Sequence, residues 1–116
     1  MAPMEIEAHN RTFRVTVRGQ FHELNAATLR YLKTTSAEHD LFLSKFTSEG
    51  TFSYDDRLDS FNLRYELQAA GPEAEAEVKA QALREAELFL KTLKIGFKRL
   101  RAAAMDMSAM WDSARR

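Results

Sequence analysis

The chain has no cysteine at all, and among its 116 residues only four glycines and two prolines. Without cysteine there is no disulfide, no thiolate nucleophile and no Cys-ligated zinc. The sparse glycines form neither a GxGxxG run nor a P-loop, and no serine sits in a nucleophile elbow. Nucleotide cofactors and triad hydrolysis therefore have no support, and no cofactor is expected. His9, His22 and His39 lack HExxH or HxH spacing, so no metal site is expected either. No apolar run approaches the ~20 residues that span a bilayer. The opening Met1-Ala2-Pro3-Met4-Glu5-Ile6-Glu7 has neither a basic nor an apolar stretch, so it does not read as a secretory signal. The cytoplasm is the expected compartment. Charge of one sign is missing as well: Lys+Arg and Asp+Glu each number 17. A dedicated nucleic-acid binder carries a basic excess, so no nucleic-acid partner and no membrane partner are expected.

What is present fits one folded domain. Hydrophobic residues make up 45% and charged ones 29%, enough apolar surface for one ordinary core. Its clearest pattern is residue-by-residue alternation. Phe13, Val15 and Val17 alternate with Arg14, Thr16 and Arg18; Phe61, Leu63, Tyr65 and Leu67 alternate with Asn62, Arg64, Glu66 and Gln68. Period two means a half-buried sheet. Residues 11–21 are read as the first strand. Asn25 is a helix N-cap with Leu24 and Leu29 at staple spacing, and the helix runs to about His39. Phe42–Glu49 is read as an extended segment, and Gly50 as a bulge or bend. Thr51–Tyr54 and Ser60–Gln68 are strands around the polar loop Asp55–Asp59. Gly71-Pro72 opens a second helix with Pro72 at its first position, Gly96 ends it, and Val78, Ala82, Ala86, Phe89, Leu90 and Leu93 face inward. Phe97–Ala104 is the last strand, although Arg99-Leu100-Arg101 breaks the alternation.

The order β-α-β-β-α-β predicts an α+β, ferredoxin-like fold: a four-stranded antiparallel sheet with two helices on one face. Val15, Val17, Leu29, Leu32, Leu63, Tyr65, Val78, Phe89 and Leu93 are expected in one core. Residues 1–10 read as a flexible leader, 11–104 as the domain, and 105–116 as a tail carrying Met105, Met107, Met110 and Trp111.

Several runs together carry a resemblance: Thr12-Phe13-Arg14-Val15-Thr16-Val17-Arg18-Gly19, Glu38-His39-Asp40-Leu41, Phe46-Thr47-Ser48-Glu49-Gly50-Thr51-Phe52-Ser53-Tyr54-Asp55 and Gly96-Phe97-Lys98-Arg99-Leu100-Arg101. Over about residues 11–107 the chain resembles a family of small actinobacterial proteins classed as a domain of unknown function. The label implies no activity; an actinobacterial origin would suggest specialised metabolism by analogy.

Arg14, Arg18 and Arg64 share the face away from the helices. Guanidinium forks suit carboxylate or phosphate, so these three are candidate substrate-binding residues for a small organic anion. The plainer reading is cross-strand pairing with Glu66, or ion pairs across a dimer face. His22, beside Glu23 at the end of the first strand, is a candidate general base, or an exposed loop histidine. Glu49 is a candidate acid or base, or part of a bulge at Gly50. Tyr54 is a candidate donor to a substrate oxygen. His39 reads as a helix-end cap. Two functions are expected from these residues. One is a cofactor-free small-molecule enzyme, its arginines holding an anion while His22, Glu49 or Tyr54 moves protons. Its reaction would be a cyclisation, an isomerisation or an amine–carbonyl condensation of the Pictet–Spengler kind. The alternative is a non-catalytic homodimeric module binding a metabolite or a protein. A homodimer is expected in either case, because an open sheet face and a Met/Trp tail leave apolar area to cover.

Overall fold

The computed structural model describes residues 10–40 and 44–108. His9, Phe42, Met110, Trp111 and the leader through residue 9 lie outside the described residues. In chain order the elements are β1 (Arg11–Phe21), α1 (Ala26–Thr34), a 3₁₀ turn (Ser36–His39), β2 (Thr51–Tyr54), β3 (Ser60–Ala69), α2 (Ala74–Thr92) and β4 (Phe97–Asp106). The four strands form one sheet in the order β2-β3-β1-β4, and every neighbouring pair is antiparallel. That order, with both helices on one face, is the ferredoxin-like arrangement.

The alternation does its work in the two central strands. Phe13, Val15 and Val17 of β1 and Phe61, Leu63, Tyr65 and Leu67 of β3 are all buried, and they form one cluster with Leu32 of α1 and Val78 and Leu90 of α2. Helix α2 buries Ala74, Val78, Ala82, Ala86 and Leu90, one residue in every four. Three alanines in that stripe keep the helix close to the sheet. Ion pairs at Glu75–Lys79 (3.3 Å) and Glu87–Lys91 (3.2 Å) lie on its outer side.

The helix ends depart from the sequence reading, for local reasons. Asn25 does cap α1, accepting from the Thr28 amide at 2.8 Å. The α-helix stops at Thr34, short of His39, where Thr34 and Thr35 hydroxyls bond back to the carbonyls of Arg30 and Tyr31. Such back-bonding competes with regular helix and favours the tighter 3₁₀ turn that follows. Leu29 is only half-buried, because Thr28 takes the inward position and donates to the Lys94 carbonyl at 3.2 Å. Gly96 does not end α2. Lys94 does, with φ of 59°, and the Ile95 amide returns to the Leu90 carbonyl at 2.8 Å. This reversal turns Leu93 outward (37% exposed) and puts Ile95 (3%) into the core in its place. Pro72 lies in the turn before α2, whose N-cap is Glu73. Strand β4 runs through Asp106, so Met105 belongs to the sheet rather than to a tail.

The break in the β4 pattern is a bulge. The register with β1 shifts between Arg18 and Gln20, and Arg99 sits at φ of 58°.

Gly50 and Gly71 share a φ of 91° but differ in surroundings. A Cβ at Gly50 would enter the Tyr65 ring, whereas one at Gly71 would meet nothing within 4 Å. Gly50→Ala is therefore expected to lower the unfolding free energy by about 1–3 kcal/mol, and by more than Gly71→Ala. Urea unfolding of the two variants measures the difference.

Candidate functional site

The face of the sheet opposite the helices is laid out in rows by the strand register. One row reads Ser53, Asn62, Arg18, Arg101 across β2, β3, β1 and β4. The next reads Thr51, Arg64, Thr16, Ala103, and a third pairs Glu66, Arg14 and Met105. Arg14, Arg18 and Arg64 therefore surround Thr16 on one face, as the alternation requires.

Two of these arginines are engaged by the chain itself. Before the turn at Gly50, Thr47 pairs beside β3 in a parallel bridge with Tyr65, and Phe46 turns its ring onto this face. The Thr47 carbonyl accepts the Glu66 amide at 2.8 Å, and the Ser44 carbonyl accepts Arg64 Nη1 at 3.0 Å. Phe46 lies between two guanidinium groups, with Arg14 Cζ and Arg64 Cζ each 5.3 Å from its ring centre. Arg14 Nε also pairs with Glu66 Oε1 at 3.3 Å. Arg18 is exposed. Beside it, β4 brings Arg101 directly opposite, Lys98 opposite Gln20, and Arg99 Nη1 within 3.3 Å of Gln20 Oε1.

The three acid–base candidates are not brought together. Glu49 is exposed in the turn before β2, while Tyr54 closes the far end of that strand. Tyr54 pairs with Phe61, so its ring is on the core side, away from the arginines. Its hydroxyl bonds the Leu32 carbonyl and lies 3.1 Å from Thr35 Oγ1, tying β2 to the end of α1. His22 is exposed after β1, with Nε2 3.7 Å from Glu23 Oε1, and its amide donates to the Gly96 carbonyl at 2.9 Å. His39 Nδ1 lies 2.9 Å from the Phe52 carbonyl, and its ring packs on Phe52 and Tyr54 at 5.3 Å. It fastens the 3₁₀ turn to β2.

A cleft of about 590 Å³ opens at the corner where the 3₁₀ turn meets the β2–β3 hairpin. Asp40, Tyr54, Asp55, Asp56, Ser60 and Asn62 line it, together with Ser36 and Ala37. Asp55 Oδ1 accepts the Asp59 amide at 3.0 Å, which shapes the hairpin. Ser53 Oγ, on the same strand, is buried without a hydrogen-bond partner among the described residues. Phe46 and Arg101 are the residues that sequence reasoning missed. The only signals were an aromatic two residues from the Ser48-Glu49-Gly50 turn and an arginine just past a break in alternation.

Two expectations follow from these contacts. Phe46→Ala removes both guanidinium–ring contacts, which at a half-exposed site are together worth about 1–2 kcal/mol. Hydrogen exchange at the Glu66 amide should accelerate in that variant, and urea unfolding gives the stability loss. The second concerns alkaline pH. Burial, with the Glu85 carboxylate adding to it, pushes the Tyr65 hydroxyl up to about 12. Burial likewise raises Tyr54, opposed by the Thr35 hydrogen bond. The unfolded chain ionises these groups from about pH 10. Their contribution is therefore whole below pH 10 and is lost as pH rises toward about 12. Unfolding curves across that range should show the decline, and Tyr65→Phe should make it shallower.

No curated protein and no solved structure matches the chain. A family model does, over residues 4–116. The match spans nearly the whole sequence, and with it the arginine face, the Phe46 segment and the β4 bulge. The chain belongs to the family described as "Family of unknown function (DUF6204)".

Proposed function

We propose that the chain is a homodimeric binding module whose open sheet face is its interaction surface, with no chemistry of its own. The observation that carries this reading is the use made of the arginines. Arg14 and Arg64 hold Phe46 on the face, so two of the three forks needed to grip a small anion already have intramolecular partners. What the face offers is a ring flanked by charge, with Met105 (55% exposed) beside it, a composition suited to docking. Acid–base catalysis would need a proton-transfer group within reach of one bound ligand. His22, Glu49 and Tyr54 instead lie after β1, before β2 and at the far end of β2.

A cofactor-free enzyme acting on a small organic anion in specialised metabolism is the second reading. The corner cleft favours it, since about 590 Å³ falls within the range of small-molecule pockets. Light scattering at micromolar concentration separates the two in part. The module reading expects twice the 13.3 kDa chain mass, and a mass near 13.3 kDa overturns it. A thermal-shift screen of small organic anions completes the test. A hit turned over by the wild type, with the rate ~10²–10⁴ lower in Tyr54→Phe, would establish the enzyme instead.

A further inference from the structure

We infer that the open face pairs with the same face of a second copy, about a two-fold axis parallel to the strands and lying between β1 and β3. The inference rests on the homodimer reading above and specifies its surface.

The argument begins with charge. The whole chain balances, 17 against 17, but the sheet does not. At one end of the open face, β4 carries Lys98, Arg99 and Arg101 along one edge. At the same end, the β2–β3 hairpin carries Asp55, Asp56 and Asp59, with Arg57 among them, along the other edge. With the order β2-β3-β1-β4, three strand spacings separate the two edges, roughly 14 Å. The groups cannot reach one another within one chain. The rotation about an axis along the strands carries β4 of each copy toward the β2 edge of the other, where the chain itself already covers Ser53 and Thr51, and brings both exposed acidic hairpins onto both basic edges.

The centre of the face agrees with the same operation. This rotation places β1 over the partner's β3 in unchanged rows. From the register, Arg14 lies toward the partner's Glu66 and Arg18 toward the partner's Asn62, while Arg64 stays held by the Ser44 carbonyl of its own chain. The Arg14 and Arg18 guanidinium groups each face an acceptor. The alternative two-fold, perpendicular to the strands through the Thr16 row, lays β1 over the partner's β1 and sets Arg18 against the partner's Arg14. Like charges in apposition disfavour it. Phe46 lies against the guanidinium groups of Arg14 and Arg64, each 5.3 Å from its ring centre. Its half-buried ring adds an aromatic surface to a charged interface. Exposed Ala103 and Met105 extend the apolar contact toward the β4 edge. A patch that is self-complementary under one rotation is the signature of an isologous dimer.

Charge reversal tests the pairing. One variant carries Lys98→Glu with Arg101→Glu; the other carries Asp56→Lys with Asp59→Lys, which leaves the hairpin bond from the Asp59 backbone amide to the Asp55 carboxylate intact. Each alone sets like against like at both contacts and should weaken dimerisation at least ~10-fold. Mixed one to one, the two variants match at both contacts, so light scattering and native mass spectrometry should show a heterodimer at near wild-type affinity. The wild-type dimer should also loosen as salt rises from about 50 to 500 mM. Circular dichroism confirms that each variant is folded. A wild type that is monomeric defeats the homodimer reading itself. A dimer indifferent to both reversals, or folded variants that fail to associate when mixed, leaves that reading standing and overturns this interface.

Discussion

The antiparallel register of β1 with β3 is the constraint on which everything else rests. It pairs Val15 with Tyr65 and Val17 with Leu63 on one side, and Arg14 with Glu66 and Thr16 with Arg64 on the other. A slip of one residue would exchange the faces, sending arginines under the helices and the core residues into water. Burying each of those large apolar side chains contributes about 1.5–3 kcal/mol, and a buried guanidinium without a partner costs more than that. The register is thus strongly specified. It also determines which side chains become neighbours on the open face, so the candidate site is a by-product of the same choice.

Much of the fold was legible because its two periods are clean. Alternation located β1 and β3, and their parity put Arg14, Arg18 and Arg64 on one face. The helical stripe found Val78, Ala82, Ala86 and Leu90. Chain reversals were harder to read. Leu93 continues the apolar period of α2, yet Ile95 occupies the core, because Lys94 adopts a left-handed backbone that glycine would ordinarily be expected to supply. Thr34, Thr35 and Ser36 carry no periodic signal of their own. Only the hydroxyl contacts of Thr34 and Thr35 account for the change from α-helix to 3₁₀ turn.

The candidate site was legible in part for the same reason. Strand parity is a local rule, so it could place arginines. What covers them comes from a segment without period, and Phe46 lies on Arg14 and Arg64 across separations in sequence that no spacing rule bridges. Tyr54 illustrates the opposite error. Its position beside Asp55 at a strand end looked reactive, but parity with Phe52 directs it inward, where it joins a ring cluster with Phe21, His39 and Phe52. A hydroxyl fixed to a helix carbonyl serves as a brace between β2 and α1.

Strand β4 is ten residues long and forms one border of the sheet, the kind of border onto which a foreign strand adds most readily. The left-handed Arg99 twists that border out of line, and Lys98 and Arg101 surround the kink with positive charge. Both features discourage growth of the sheet into a ribbon of stacked chains. A protein with an uncovered layer and an accommodating edge would be prone to fibrils. Here the bulge guards the β4 edge against the addition of a foreign strand.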